Sequence, residues 1–190
     1  MTESLYRSSD PFGTHQKFLE MYIRNTTGDI IEFGAGYSST PLILYLIKGT
    51  NRKLISLENN IEWINNMKKT CPKSDNHIYI YITDWKKELE KLKNEYTLNN
   101  QKFSIAFIDS SPWDARITAM NLFRDISEYI FIHDVDIFPK NNIIGKVIGE
   151  HQYDFSDVCE NFNVYFPDKP WPYITGPPTL VFSEKYKLLD

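Results

Sequence analysis

Residues 30–43 read IIEFGAGYSSTPLI, an apolar run that breaks at Gly34 and Gly36 and then resumes. Two structures can follow a strand that stops in glycines. One is a tight hairpin turn. The other is a loop whose backbone must approach a ligand closely, which a Cβ would prevent. The residues just downstream separate them. Ser39 stands where a helix cap belongs, Pro41 falls in a first helical turn, and Gly49 is a stop, so STPLILYLIKG reads as a helix. Strand, glycine loop and helix open a crossover unit rather than a hairpin.

The same grammar continues along the chain. THQKFLEMYIRNT (14–26) predicts a helix with Thr14 as cap and Phe18, Met21 and Tyr22 on one face. KLISLE (53–58) is a strand, NIEWINNMKKTC (60–71) a helix ended by Pro72, and HIYIYI (77–82) a strand followed by a charged helix from Trp85. FSIAFID (103–109) is the most apolar strand; a helix from Trp113 to about Ile126 follows it, then YIFIHD (129–134). KNNIIGKVIGEH (140–151) predicts one more helix. Two last strands lie in YDFSDVCENFNVYF (153–166) and PTLVFS (178–183), joined by PDKPWPYITGP. Alternation of strand and helix calls for an α/β fold, a mostly parallel sheet with helices on both faces. The final pair lacks an intervening helix, so the last strand is expected to run antiparallel.

Composition bounds the rest. A chain of 190 residues supports one core and is short for two, and no composition shift marks a linker. The expectation is a single domain over 1–190, with a helical lead at 1–28 and a terminal strand pair with an aromatic, proline-rich loop at 152–190. A net charge of −4 gives no global field for nucleic acid. Cys71 and Cys159 have neither disulfide nor metal-ligand spacing, the polar start MTESLYRSSDPFG does not read as a signal sequence, and no run is long and apolar enough to span a membrane. These features predict a cytoplasmic protein with no membrane partner.

In an open parallel sheet, ligands sit outside the carboxyl ends of the strands. Those ends here carry Glu32 with Gly34-Ala35-Gly36, then Glu58, Asp84, Asp109 and His133-Asp134. Packing does not ask for a carboxylate after one apolar strand after another, because a carboxylate is costly to bury. Glu58 follows Gly34 by 24 residues, where a dinucleotide fold places its ribose-binding acid. A nicotinamide enzyme would, however, want a third glycine where Ser39 stands, and Glu32 is a poor neighbour for a pyrophosphate.

The segment IIEFGAGYSST resembles the first motif of the class I S-adenosylmethionine-dependent methyltransferases. The resemblance implies a Rossmann-like seven-stranded sheet. It also implies that Gly34, Ala35 and Gly36, with Ser39 beside them, wrap the methionine part of S-adenosyl-L-methionine while Glu32 reaches its amino group. Glu58 in SLENN would take the ribose hydroxyls. Asp84 in YITDW would take the adenine amino group, with Trp85 against the ring. Asp109 in AFIDSSP would lie beside the reacting methyl. The stretch FIDSSPWDARITAMNLFRDISEYIFIHDVD is similar, in part, to O-methyltransferases of sugars and other small hydroxylated compounds; Ser111 replaces their glycine and His133-Asp134 their acidic pair.

A hydroxyl acceptor must lose its proton, and His133 is the first candidate for the base, Asp109 the second. Arg116, on the helix after Asp109, could hold an anionic substrate or orient that aspartate. A metal-assisted route would place Mg2+ among Asp109, Asp134 and Asp136. Trp113, Trp171, Tyr173 and His15 are the candidate walls of an acceptor site for a sugar or nucleotide-sugar. Two other functions stay open: an NAD-dependent oxidoreductase, and a methyltransferase fold kept only for binding or scaffolding.

Overall fold

The computed structural model describes residues 13–134, 161–165 and 178–189. The helix expected at 140–151, the loop carrying Trp171 and Tyr173, and Asp136 lie outside these residues.

Helix α1 (Gln16–Arg24) is amphipathic, with Leu19, Tyr22 and Ile23 buried on one stripe. Thr14 does not cap it. His15 holds the cap position, and the Thr14 hydroxyl turns instead to His133. Strand β1 (Asp29–Phe33) leads into α2 (Thr40–Leu46), which has Pro41 in its first turn as expected and is released near Gly49, at φ +79°. Then follow β2 (Leu54–Glu58), α3 (Ile61–Thr70), β3 (His77–Tyr81), α4 (Trp85–Leu98), β4 (Phe103–Ile108), α5 (Trp113–Phe123), β5 (Ser127–Ile132), β6 (Phe162–Tyr165) and β7 (Thr179–Phe182). Asn60 caps α3 by accepting from the backbone N–H groups of Glu62 and Trp63, which ends β2 in a tight turn just beyond Glu58.

The seven strands form one sheet in the order β3-β2-β1-β4-β5-β7-β6. Strands β1 to β5 pair in parallel, whereas β7 runs antiparallel between β5 and β6. This is the Rossmann-like class I methyltransferase fold. The strands that are buried on both faces are mostly apolar, and β2 and β4 are buried throughout, Ser56, Glu58 and Ser104 included. On one face Ile31, Phe33, Ala106 and Ile108 pack with Trp85 and Leu89 of α4 and Phe123 of α5. On the other, Ile30, Ile105 and Phe107 pack with Leu19 and Tyr22 of α1, Ile43 of α2 and Met67 of α3. Period-two alternation therefore sends Glu32, Ser56 and His133 to the α1–α3 side.

Strand order reverses between β1 and β4, which opens a crevice at their carboxyl ends. The opposite edge is closed by Arg52, which donates to the carbonyls of Ile23, Thr26 and Gly28 and to the Ser104 hydroxyl. Among the described residues, no helix is long and apolar enough to cross a membrane.

Candidate active site

Gly34 has φ +91°, and a Cβ there would stand 2.6 Å from the Asp109 carbonyl oxygen. Only glycine lets the β1 loop cross that close to the end of β4. The loop is then fastened from two sides. Ala35 N–H donates to Glu58 Oε2 at 3.2 Å, and the Trp63 indole donates to the Ala35 carbonyl at 2.7 Å. Glu58 Oε1 accepts the N–H groups of Asn59 and Asn60, so the carboxylate is pinned at the mouth of the crevice. Burial raises the Glu58 pKa, and the three backbone donors only partly offset that. Oε2 keeps room for further donors.

Glu32 is fully buried. Its Oε2 accepts from Ser56 Oγ at 2.6 Å and from Thr40 Oγ1 at 2.8 Å, while Thr40 Oγ1 itself accepts the Gly36 N–H at 3.1 Å. Oε1 has no hydrogen bond. Burial pushes the Glu32 pKa up to about 7, against the pull of Ser39, Ser56 and Thr40. A buried carboxyl with an unpaired oxygen behind the glycine loop suits an ammonium group and not a phosphate. Ser39 is also buried, and its hydroxyl would lie 3.1 Å from a Cβ at Gly36.

Asp84 and Trp85 follow the end of β3 and are engaged in contacts of their own. Asp84 is exposed and caps α4, accepting from Lys87 N–H at 3.0 Å. Trp85 lies in the core under the sheet, its indole N–H bonded to the Ser111 carbonyl. A cleft of about 660 Å³ at this end is lined instead by Glu58, Asn60, Ile61, Trp63, Tyr81 and Ser111. Ile61 and Tyr81 are about half exposed there. The sequence carried one signal for them, two large apolar side chains at helix and strand ends with no core to fill.

At the ends of β4 and β5 four charged groups close on one another. Arg116 Nη2 lies 3.0 Å from Asp109 Oδ1 and 3.4 Å from Asp134 Oδ2. His133 Nδ1 lies 3.3 Å from Asp109 Oδ2 and 3.3 Å from Asp134 Oδ1. The Arg116 guanidinium also donates to the carbonyls of Ser110 and His133, and the Trp113 ring stacks on it at 4.0 Å. Burial alone would lower the His133 pKa, but the charges of Asp109 and Asp134 raise it. Burial would raise that of Asp109, but His133 and then Arg116 hold it below the usual carboxylate range. Asp134 is pushed up by burial and by the like charge of Asp109, and it sits at φ +55°, a left-handed conformation unfavourable for a non-glycine residue.

Asp109, His133 and Asp134 bring possible ligand atoms within 4.8 Å of one another. All four carboxylate oxygens, however, already face Arg116 or His133, and the two carboxylates raise the His133 pKa. The residues as arranged do not fit a hard divalent cation. Asp136, the third expected ligand, is outside the described residues.

His15, from the first turn of α1, lies against this cluster. Its ring is 4.5 Å from that of His133, edge to face, and 4.7 Å from that of Phe107. Trp171 and Tyr173 of the expected acceptor wall are outside the described residues.

No family model and no curated protein matches this chain. Among solved structures it resembles human methyltransferase-like protein 13 in complex with SAH, with a TM-score of 0.56 at 10% identity over 93% of this chain and 85% of that one. An rRNA methylase from Streptococcus thermophilus aligns with a TM-score of 0.47 at 15% identity, over 86% of this chain and 92% of that one. At 10% identity the likeness to the first of these is one of fold.

Proposed function

We propose that this chain is an S-adenosyl-L-methionine-dependent methyltransferase that methylates an oxygen of a small hydroxylated acceptor, a sugar or nucleotide-sugar first among them. One observation carries the reading: the close-packed Gly34 loop, the pinned Glu58 carboxylate and Asp109 converge at the switch point of a class I methyltransferase sheet. The buried Glu32 carboxyl behind that loop adds the partner that a cofactor ammonium would need.

On this reading, Gly34 to Gly36 line the methionine part and Glu58 Oε2 accepts a ribose hydroxyl. The adenine lies in the cleft between Ile61 and Tyr81, not at Asp84 and Trp85. When bound, the sulfonium cofactor supplies an electrophilic methyl carbon, and the protein supplies alignment and a dry site. Asp109, with Arg116 and His133 fixing both its oxygens, forms a rigid polar floor at the transfer point. Trp113, stacked on Arg116, offers an aromatic face toward the acceptor.

Isothermal calorimetry with S-adenosylmethionine, S-adenosylhomocysteine and NAD tests the assignment. Binding of the two sulfur compounds in the micromolar range, with no heat from NAD, is expected. Micromolar binding of NAD without either of the others would replace methyl transfer with hydride transfer.

A further inference from the structure

Among the described residues, four side chains at the β4–β5 edge have the chemistry to take a proton from an acceptor hydroxyl: Asp109, Asp134, His133 and His15. Three of them are engaged at every polar atom. Each oxygen of Asp109 and Asp134 faces Arg116 or His133. His133 meets those carboxylates through Nδ1 and the Thr14 hydroxyl through Nε2, at 3.0 Å. His15 differs. Its ring is 1% exposed, yet neither Nδ1 nor Nε2 has a hydrogen-bond partner.

Leaving a buried polar atom unpaired is costly, and folded proteins seldom tolerate it without a reason. The position is also held from both sides along the chain. Thr14 is bonded to His133, and Gln16 Nε2 donates to the Ser38 carbonyl in the glycine loop at 2.8 Å. Three consecutive residues thus tie the first turn of α1 to the end of β5, to the ring of Phe107 and to the loop after β1. A neutral imidazole there has one nitrogen free to accept a hydrogen bond and one N–H free to donate.

We propose that His15, and not His133 or Asp109, accepts the proton of the substrate hydroxyl during methyl transfer; this rests on the methyltransferase reading above. In the step, the acceptor O–H bond breaks and its proton passes to a ring nitrogen of His15. The acceptor oxygen forms a bond to the methyl carbon, and the carbon–sulfur bond breaks with its electron pair going to sulfur. Because the ring is 1% exposed, the proposal requires the Thr14–Gln16 turn to part from the sheet edge when the acceptor binds. Electrostatics favour the assignment. Burial first, and then the charge of His133, keep the His15 pKa well below the ordinary imidazole value, while Asp109 opposes them. His15 is therefore neutral at pH 7 with a lone pair to offer, and Asp109 steadies the imidazolium once it forms. Paired groups whose surroundings push their pKa values apart mark an acid and base division of labour.

The test uses wild type, His15→Gln, His15→Asn and His133→Gln. Calorimetry with S-adenosylhomocysteine checks that each variant is folded with an intact cofactor site. 15N NMR of the imidazole rings from pH 5.5 to 8 reads protonation, and transfer of labelled methyl from S-adenosylmethionine to a panel of monosaccharides, nucleotide-sugars and phenols gives rate against pH. We expect a neutral His15 across the range and S-adenosylhomocysteine affinity within about threefold of wild type in both His15 variants. Transfer should fall by roughly 10²–10⁴-fold in those variants, the usual contribution of a general base. Because His15 stays neutral, wild type and His133→Gln should both transfer methyl with no acidic limb between pH 5.5 and 8. A charged His15 at pH 7, near-wild-type transfer by the His15 variants, or an acidic limb that disappears with His133 would overturn the proposal. Failure of wild type to bind S-adenosylhomocysteine would strike the methyltransferase reading itself.

Discussion

Arg116 Nη2 stands 3.0 Å from Asp109 Oδ1, and the same guanidinium reaches back to the carbonyls of Ser110 and His133. One buried side chain thereby holds the ends of β4 and β5 together. Arg116→Lys keeps the charge and loses the fork. A lysine cannot serve two carboxylates and two carbonyls in one plane. The expected cost is about 2–3 kcal/mol, read as a lower urea midpoint with an unchanged slope. A midpoint equal to that of wild type would mean that the cluster does not hold the two strand ends together.

The charge balance of this cluster leads to a second expectation. Two carboxylates already faced by the Arg116 guanidinium and the His133 ring have no need of a divalent cation. Titration of the protein with MgCl2 or MnCl2 should show no site tighter than millimolar, and a chelator should leave S-adenosylhomocysteine affinity unchanged. A micromolar Mn2+ site that disappears in Asp109→Asn would refute this.

Gly34→Ala places a methyl group against the Asp109 carbonyl and forces an alanine to φ +91°. Both the strain and the clash fall on backbone atoms that cannot move aside. A loss of about 3 kcal/mol or more is expected in urea unfolding, with cofactor binding abolished. Gly49→Ala has φ strain but open space around it, and should cost only about 1 kcal/mol.

Glu32 makes stability depend on pH with a definite sign. Its folded pKa of about 7 lies above the unfolded value of 4.5, so the protonated form is favoured by folding. Its contribution is complete below pH 4.5 and is lost as pH rises through 7. Glu32→Gln removes this titration. Relative to wild type, the variant should gain roughly 3 kcal/mol on going from about pH 4.5 to about pH 8, because a tenfold difference in proton affinity between folded and unfolded chains is worth about 1.4 kcal/mol. A difference that stays constant across that range would show that Glu32 is ionised throughout in the folded state.

Glu58→Gln and Asp84→Ala separate two acidic residues that look equivalent in the sequence. The first should weaken S-adenosylhomocysteine binding by about 10- to 100-fold, since a hydrogen bond to a charged group is worth roughly 1.5–3 kcal/mol. The second should leave affinity within about twofold and cost about 1 kcal/mol of stability through loss of the α4 cap. Reversal of the two results would return the adenine to Asp84 and Trp85.

The fold was legible because each of its determinants is local. Apolar runs with period two or no period gave the strands, and Pro41 in the first turn and Gly49 past the end marked the span of α2, with Ser39 at the cap position although its side chain makes no capping bond. The antiparallel final pair followed from a missing helix. The site was legible only in part, since strand ends say which residues share an edge and not which of them point at the crevice. Glu58 and Asp84 both end apolar strands, but the turn after β2 folds three N–H groups onto the first, whereas the helix after β3 takes the second as its cap. His133 read as a free base because the sequence cannot show that Asp109, Asp134 and Thr14 occupy both its nitrogens. His15 was visible as a candidate, but its unpaired nitrogens are a property of packing.

The reversal of strand order between β1 and β4 also divides the site by descent along the chain. Everything assigned to the cofactor's methionine and ribose lies before Asn99, and the Asp109–Arg116–His133 cluster lies after it, the sheet joining the two through the β1–β4 pair. A cut in the turn at Asn99–Asn100 would leave two fragments, the first with the cofactor contacts and His15, the second with the Asp109–Arg116–His133 cluster, each forming one bank of the crevice. A ligand that touches both banks is then a molecular staple, and reassembly of the fragments becomes a reporter of its presence.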